Sequence, residues 1–117
     1  MGIFESIVRK ILIESAQVGD IIQAINNKKK VKINYLGDNN IPKGERIIQT
    51  YVVGKTKRGN LAIRAYQEQG FTATITPGWK IFLLNKIAEW NELEDTFEIR
   101  SDYAQGDKNF PTITHKV

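Results

Sequence analysis

The sequence predicts an α+β fold, mainly β, in which N-terminal helices pack on a small five-stranded β-barrel. Three observations predict it. Residues 2–27 carry apolar side chains at helical spacing, residues 31–87 divide into short runs rich in β-branched and aromatic residues, and clusters of Gly, Asn and Pro separate those runs. At 117 residues, with 41% hydrophobic and 26% charged side chains, the chain suits one modest core. Residues 1–27 are expected as a helical segment, 28–100 as the barrel and 101–117 as a polar tail.

Ile3, Phe4, Ile7, Val8, Ile11 and Leu12 fall on one helical face, with Glu5, Arg9, Lys10 and Glu14 opposite. Gly19 is expected to stop this helix, and Asp20 to cap a short second one that carries Ile21, Ile22, Ala24 and Ile25 and closes at Asn26-Asn27. The first strand is Val31–Tyr35. Gly37-Asp38-Asn39-Asn40 and Pro42-Lys43-Gly44 form a loop before a second strand, Arg46–Val53. Lys57-Arg58-Gly59-Asn60 is a tight hairpin leading to Leu61–Tyr66. Thr72–Thr76 has the composition of an edge strand. Trp79–Ile87 reads as one long strand, after which the chain turns and returns as a last strand around Thr96–Ile99. Ala104–Asp107 is a turn, and Thr112–Val117 reads as a tail.

Composition narrows the chemistry. With no cysteine there are neither disulfides nor thiolate metal sites, which allows a reducing, cytoplasmic setting. His115, the sole histidine, lies in the tail, so neither a zinc set nor a Ser-His-Asp triad can be composed. No apolar run approaches the roughly 20 residues of a membrane span, and Met1-Gly2-Ile3-Phe4-Glu5 does not open a secretory signal. Gly2 and Ser6 formally meet a myristoylation pattern, but the helical spacing already accounts for Ile3 and Phe4. Gly54-Lys55-Thr56 lacks the Walker spacing and is a hairpin loop. The acids Glu89, Glu92, Glu94, Asp95 and Glu98 are best explained by a solvated turn. No catalytic residue, metal site, cofactor or membrane partner is expected, and the chain reads as a binding module.

Charge is unevenly placed. Residues 28–86 hold twelve Lys or Arg against three acids, a net +9, whereas residues 89–107 net −6. The basic middle is either a solvated surface or an anion-binding face, with the acidic segment packed elsewhere or shielding it. Nearly every strand sets a basic residue beside an aromatic one, the composition of surfaces that hold phosphate and stack on bases. The Lys28-Lys29-Lys30-Lys32 run reads as a solvated face. Tyr35, Tyr51, Tyr66 and Phe82 read first as core, because a small barrel has to be filled.

The order of these pieces resembles the WYL-domain proteins. A helix ends in Ala24-Ile25, a basic strand closes on Tyr35, Arg46-x-Ile48 follows, then Arg64-Ala65-Tyr66, then Lys80-x-Phe82-x-x-Asn85-Lys86-Ile87. Arg64-Ala65-Tyr66-Gln67, Pro77-Gly78-Trp79-Lys80 and Gly106-Asp107-Lys108 look most like short stand-alone barrel proteins of tailed bacteriophages. Leu61-Ala62-Ile63 stands where that family carries its namesake Trp-Tyr-Leu triplet. The resemblance implies an Sm-like (Src-homology-3-like) barrel and a regulatory role in which a basic groove holds nucleic acid or a nucleotide. By position it makes Tyr35, Arg46, Arg64, Tyr66, Lys80 and Lys86 the ligand-binding residues. Lys80 and Lys86 replace arginines, which keeps phosphate attraction but removes the bidentate fork. The alternative expectation is a structural or adaptor protein of a phage particle or assembly. It would act as a homo-oligomer or on a phage or host protein, in the host cytoplasm or in the virion.

Overall fold

The computed structural model describes residues 18–70, 77–103 and 109–117. A helix through residues 18–27 (α1) is followed by β1 (Lys29–Tyr35), β2 (Gly44–Lys55), β3 (Leu61–Gly70), β4 (Gly78–Leu83), a 3-10 turn (Leu84–Lys86), β5 (Ile87–Thr96) and β6 (Thr112–Lys116). The fold is mainly β. Its strands make one open antiparallel sheet in the order β4-β3-β2-β1-β5. β1 and β6 follow one another along one edge of β2, on Gly44–Gln49 and Val52–Lys55, while β3 takes the other edge.

β4 and β5 are the outer strands of this order, yet only the 3-10 turn separates them. Four strand spacings of a flat sheet would hold them roughly 19 Å apart, and a 3-10 turn advances only about 2 Å per residue. The sheet therefore rolls, and the Leu36 amide donates to the Lys86 carbonyl at 2.8 Å. No ladder joins β4 to β5 among the described residues, so the roll stays open.

Alternation fills the inside of the roll. Val31, Ile33 and Tyr35 of β1 are buried while Lys32 faces water. Ile48 and Val53 of β2, Ile63 and Ala65 of β3 and Phe82 of β4 join them. α1 covers this core with Ile21, Ala24 and Ile25, spaced for one helical face. Lys28, at φ 50°, ends the helix in the left-handed conformation. Its amide donates to the Ile25 carbonyl, and its own carbonyl accepts from Phe97.

A second core lies on the outer face. A β-bulge in β2 sets it up: Thr50 pairs with Ala65 and Val52 with Arg64, leaving Tyr51 as the extra residue. The run from Thr50 to Gly54 is consequently buried throughout, where strict alternation would expose every second side chain. Tyr51 packs against Trp79, Phe97 and Tyr103 at ring-centroid distances of 4.8, 5.3 and 4.8 Å. Each such pair contributes about 0.5–1.5 kcal/mol beyond area burial. Phe110 completes the cluster, and the Val117 amide donates to the Tyr51 carbonyl.

Several expectations need correction. Gly19 and Asp20 lie inside α1 rather than at a break, because the helix continues through residues 18–27 and packs Val18 on the core. Trp79–Ile87 is not one strand: it breaks at Leu84–Lys86, where the Ile87 amide bonds back to the Leu84 carbonyl. β5 fills Ile87–Thr96, and Phe97–Arg100 is not a strand. The expected tail contains a sixth strand, β6. The expected Gly2–Ser15 helix and Thr72–Thr76 edge strand lie outside the described residues.

Two glycines make opposite predictions. A Cβ on Gly54 would collide with the Thr112 carbonyl of β6, so Gly54→Ala should detach β6 and lose about 2 kcal/mol in a urea melt. A Cβ on Gly19 would meet nothing within 4 Å, so Gly19→Ala should gain about 0.5–1 kcal/mol in the same melt.

Candidate functional site

A groove of about 440 Å³ opens between the β1–β2 loop and the β2–β3 hairpin. Asp38, Asn39 and Asn40 form one wall, and Thr56, Lys57, Arg58 and Asn60 form the other. Ile81 and Leu83 of β4 give it an apolar floor, and Asn109 also lines it. This volume lies within the usual range of small-ligand sites, about 300–1,000 Å³.

The hairpin wall is a tight turn. The Gly59 amide donates to the Thr56 carbonyl at 2.8 Å, and the Thr56 amide to the Asn60 carbonyl at 3.0 Å. Gly59 adopts φ 82°, which an L side chain resists. Lys57 and Arg58 are thereby exposed at the tip, and they form no ion pair among the described residues.

The loop wall is fixed from below. Tyr35 is fully buried, and its hydroxyl donates to Asp38 Oδ2 at 2.6 Å while accepting the Leu83 amide at 3.1 Å. One side chain thus ties wall to floor. Asp38 Oδ1 accepts the Asn40 and Ile41 amides, each at 2.7 Å. Burial raises the Asp38 pKa, but the Tyr35 hydroxyl, these two amides and the charge of Lys86 outweigh it and hold the carboxyl below its usual range. Burial, then the bond to Asp38, pushes the Tyr35 phenol well above its usual value.

Arg46 also serves this wall. It is 1% exposed, its guanidinium carbon lies 5.6 Å from the Tyr35 ring centroid and 5.7 Å from that of Phe82, and Nη2 donates to the Pro42 carbonyl. Its Nε and Nη1 are buried without a hydrogen-bond partner among the described residues. Burial pulls its pKa down, against the influence of Tyr35 and Asp38.

The six residues expected to bind ligand do not share one groove. Tyr35 and Arg46 sit in the interior beneath the loop wall, with Lys86 close enough to influence Asp38. Arg64 and Tyr66 lie on the outer face of β3, opposite Ile81 and Trp79 of β4. Arg64 therefore borders the groove floor. Tyr66 is capped by Arg100, whose guanidinium carbon is 3.7 Å from its ring centroid. Lys80 is half-buried on the other face, opposite Ala65. Lys57 and Arg58 were legible only as a hairpin; their position beside Asp38–Asn40 depends on the roll of the sheet.

Most of the basic run at β1 is engaged internally. Lys30 pairs with Glu68 at 3.1 Å, Lys32 with Glu45 at 3.7 Å, and Lys29 donates to the Glu94 carbonyl at 2.9 Å. Four acids of the acidic segment, Glu89, Glu92, Glu94 and Asp95, lie on β5, along β1. His115 Nε2 donates to Asn26 Oδ1 at 2.6 Å, joining β6 to the end of α1. No group of His, Cys, Asp or Glu suited to a metal occurs among the described residues, nor is any helix there long and apolar enough to cross a membrane.

Tyr35→Phe deletes the bond between wall and floor and should lower stability by about 1–2 kcal/mol at neutral pH. The raised phenol pKa adds a pH signature. Stability is retained below the unfolded tyrosine pKa of about 10 and lost above it, because the unfolded chain releases its proton first. Asp38 acts in the opposite sense: its contribution is present above about pH 4 and lost as pH falls through its lowered folded pKa. Urea melts across pH should show both limbs flattened in Tyr35→Phe. Arg46→Met, which replaces a buried charge by an apolar chain, should leave stability within about 1 kcal/mol of the parent in the same melts. Compared with protein-family models, with curated proteins and with solved structures, the chain finds no match in any of the three.

Proposed function

We propose that the chain is a non-enzymatic regulatory module that binds nucleic acid or a nucleotide in the groove between the β1–β2 loop and the β2–β3 hairpin. The observation that carries this reading is the pairing of two exposed cations, Lys57 and Arg58, with an apolar floor in one ligand-sized groove. Phosphate needs the first and a base or sugar needs the second. The other cations point less well to a ligand, since Lys30 and Lys32 already face carboxylates. An Sm-like, WYL-related barrel is the finer fold we infer. Its support is the helix ahead of β1, the order β4-β3-β2-β1-β5 and the 3-10 turn that brings the outer strands together.

A second reading has its own observation. β4 and β5 are edge strands, and edges accept further strands. An adaptor or particle protein would use them on a second copy or another protein, and light scattering would then report a mass above 13.3 kDa.

Fluorescence anisotropy with labelled single-stranded DNA, duplex DNA and RNA tests the first reading. Affinity should fall between about 50 and 200 mM salt, with a logarithmic slope of about −0.7 for each single-strand phosphate neutralised. Lys57→Ala with Arg58→Ala should weaken binding about tenfold or more and make that slope shallower by about one unit. Binding indifferent to both substitutions would place the contact elsewhere on the surface.

A further inference from the structure

We infer that the groove is built for one nucleotide unit, a nucleoside monophosphate or the end of a strand, rather than for a length of strand lying across the sheet. The inference rests on the binding role proposed above and names the ligand more closely. Size is the first argument. The groove holds about 440 Å³, the volume of a site for one small ligand, between two walls and over an apolar floor.

The distribution of chemistry is the second argument. Among the described residues that line the groove, the cations are Lys57 and Arg58, at the hairpin tip. The Lys57 and Arg58 amides make no backbone hydrogen bond among the described residues, so they add donors beside those cations. The opposite wall contributes Asn39 and Asn40, both exposed, and Asn60 stands at the base of the hairpin. A carboxamide offers both a donor and an acceptor, the pair needed to read a base edge. Asp38 stays a carboxylate, its Oδ2 held by Tyr35 and its Oδ1 by two amides of its own loop, so its charge directs a phosphate away from the loop wall and toward the hairpin. The ligand that fits has its phosphate on the hairpin, its base edge against the asparagines and its apolar face over Ile81 and Leu83.

The fixed loop is the third argument. Reading one base edge requires amides held in register, and the asparagine wall is anchored by Tyr35 and by the bond from Arg46 to Pro42. Tyr35 and Arg46 are thus positioning residues for the groove, which accounts for two basic-strand residues that never reach its surface.

Calorimetric titration of the full chain with AMP, GMP, CMP and UMP, with inorganic phosphate, and with a single-stranded oligonucleotide tests this. Circular dichroism checks that each variant is folded. The expected result is one-to-one binding of at least one monophosphate, at least about tenfold tighter than inorganic phosphate. Arg58→Ala should weaken it about tenfold, and Asn60→Ala should change the preference among the four bases. Lys116→Ala, on β6, should change neither. Oligonucleotide binding without monophosphate binding would overturn the single-unit groove and leave the broader reading standing. Absence of both would overturn the two together. Monophosphate binding no tighter than phosphate, or unmoved by Arg58→Ala and Asn60→Ala, would show that the groove does not read a base.

Discussion

The shortness of the link between β4 and β5 governs this molecule. Three residues in a 3-10 turn join the two outermost strands of a five-strand order, and no flat sheet satisfies that connection. The rolled sheet that results gives an interior for Tyr35 and Phe82, which meet edge to face at 5.0 Å. It brings the start of the 3-10 turn beneath the β1–β2 loop, where Leu83 meets Tyr35. The apolar floor of the groove comes from the same strand that the turn terminates.

Burial changes what a charged residue can do. Arg46 and Lys57 are both basic residues of one strand–hairpin unit, yet the first lies between two aromatic rings and the second in water. An interior arginine with two nitrogens unmet among the described residues is a desolvated charge, and its value is in placing a loop rather than in attracting an anion across solvent. The lysines of β1 illustrate a milder case. Lys30 and Lys32 reach carboxylates on other strands, Glu68 and Glu45, so part of the local field of a +9 segment is answered within the fold.

Period-two patterning made β1 and the first half of β2 legible, because buried positions there alternate with less buried ones. It failed where alternation itself failed. Tyr51 and Val52 both turn to the outer core because a bulge inserts one residue, and nothing in the run Thr50-Tyr51-Val52-Val53 marks that insertion. The break at Leu84 was hidden for a similar reason: Leu84 is as apolar as the strand before it, and only Asn85 has turn character. β6 escaped notice because it is short, largely exposed and polar on its surface, and its stability comes from the edge of β2 rather than from its own side chains. For the candidate site, composition identified a basic and aromatic chain but not which cations reach water together. That depends on the sheet's curvature, which no local pattern encodes.

The ladders that complete the fold join distant parts of the chain: Lys29 pairs with Thr96, and Lys55 with Thr112. Large loops have to close before such contacts are rewarded, and topologies of this kind refold in milliseconds to seconds. Until β6 arrives, the Val52–Lys55 edge of β2 stays open beside a hydrophobic face. A chain waiting in that state can capture a strand from a neighbour as readily as its own. Crowding during synthesis is therefore a stress to which that waiting edge is exposed.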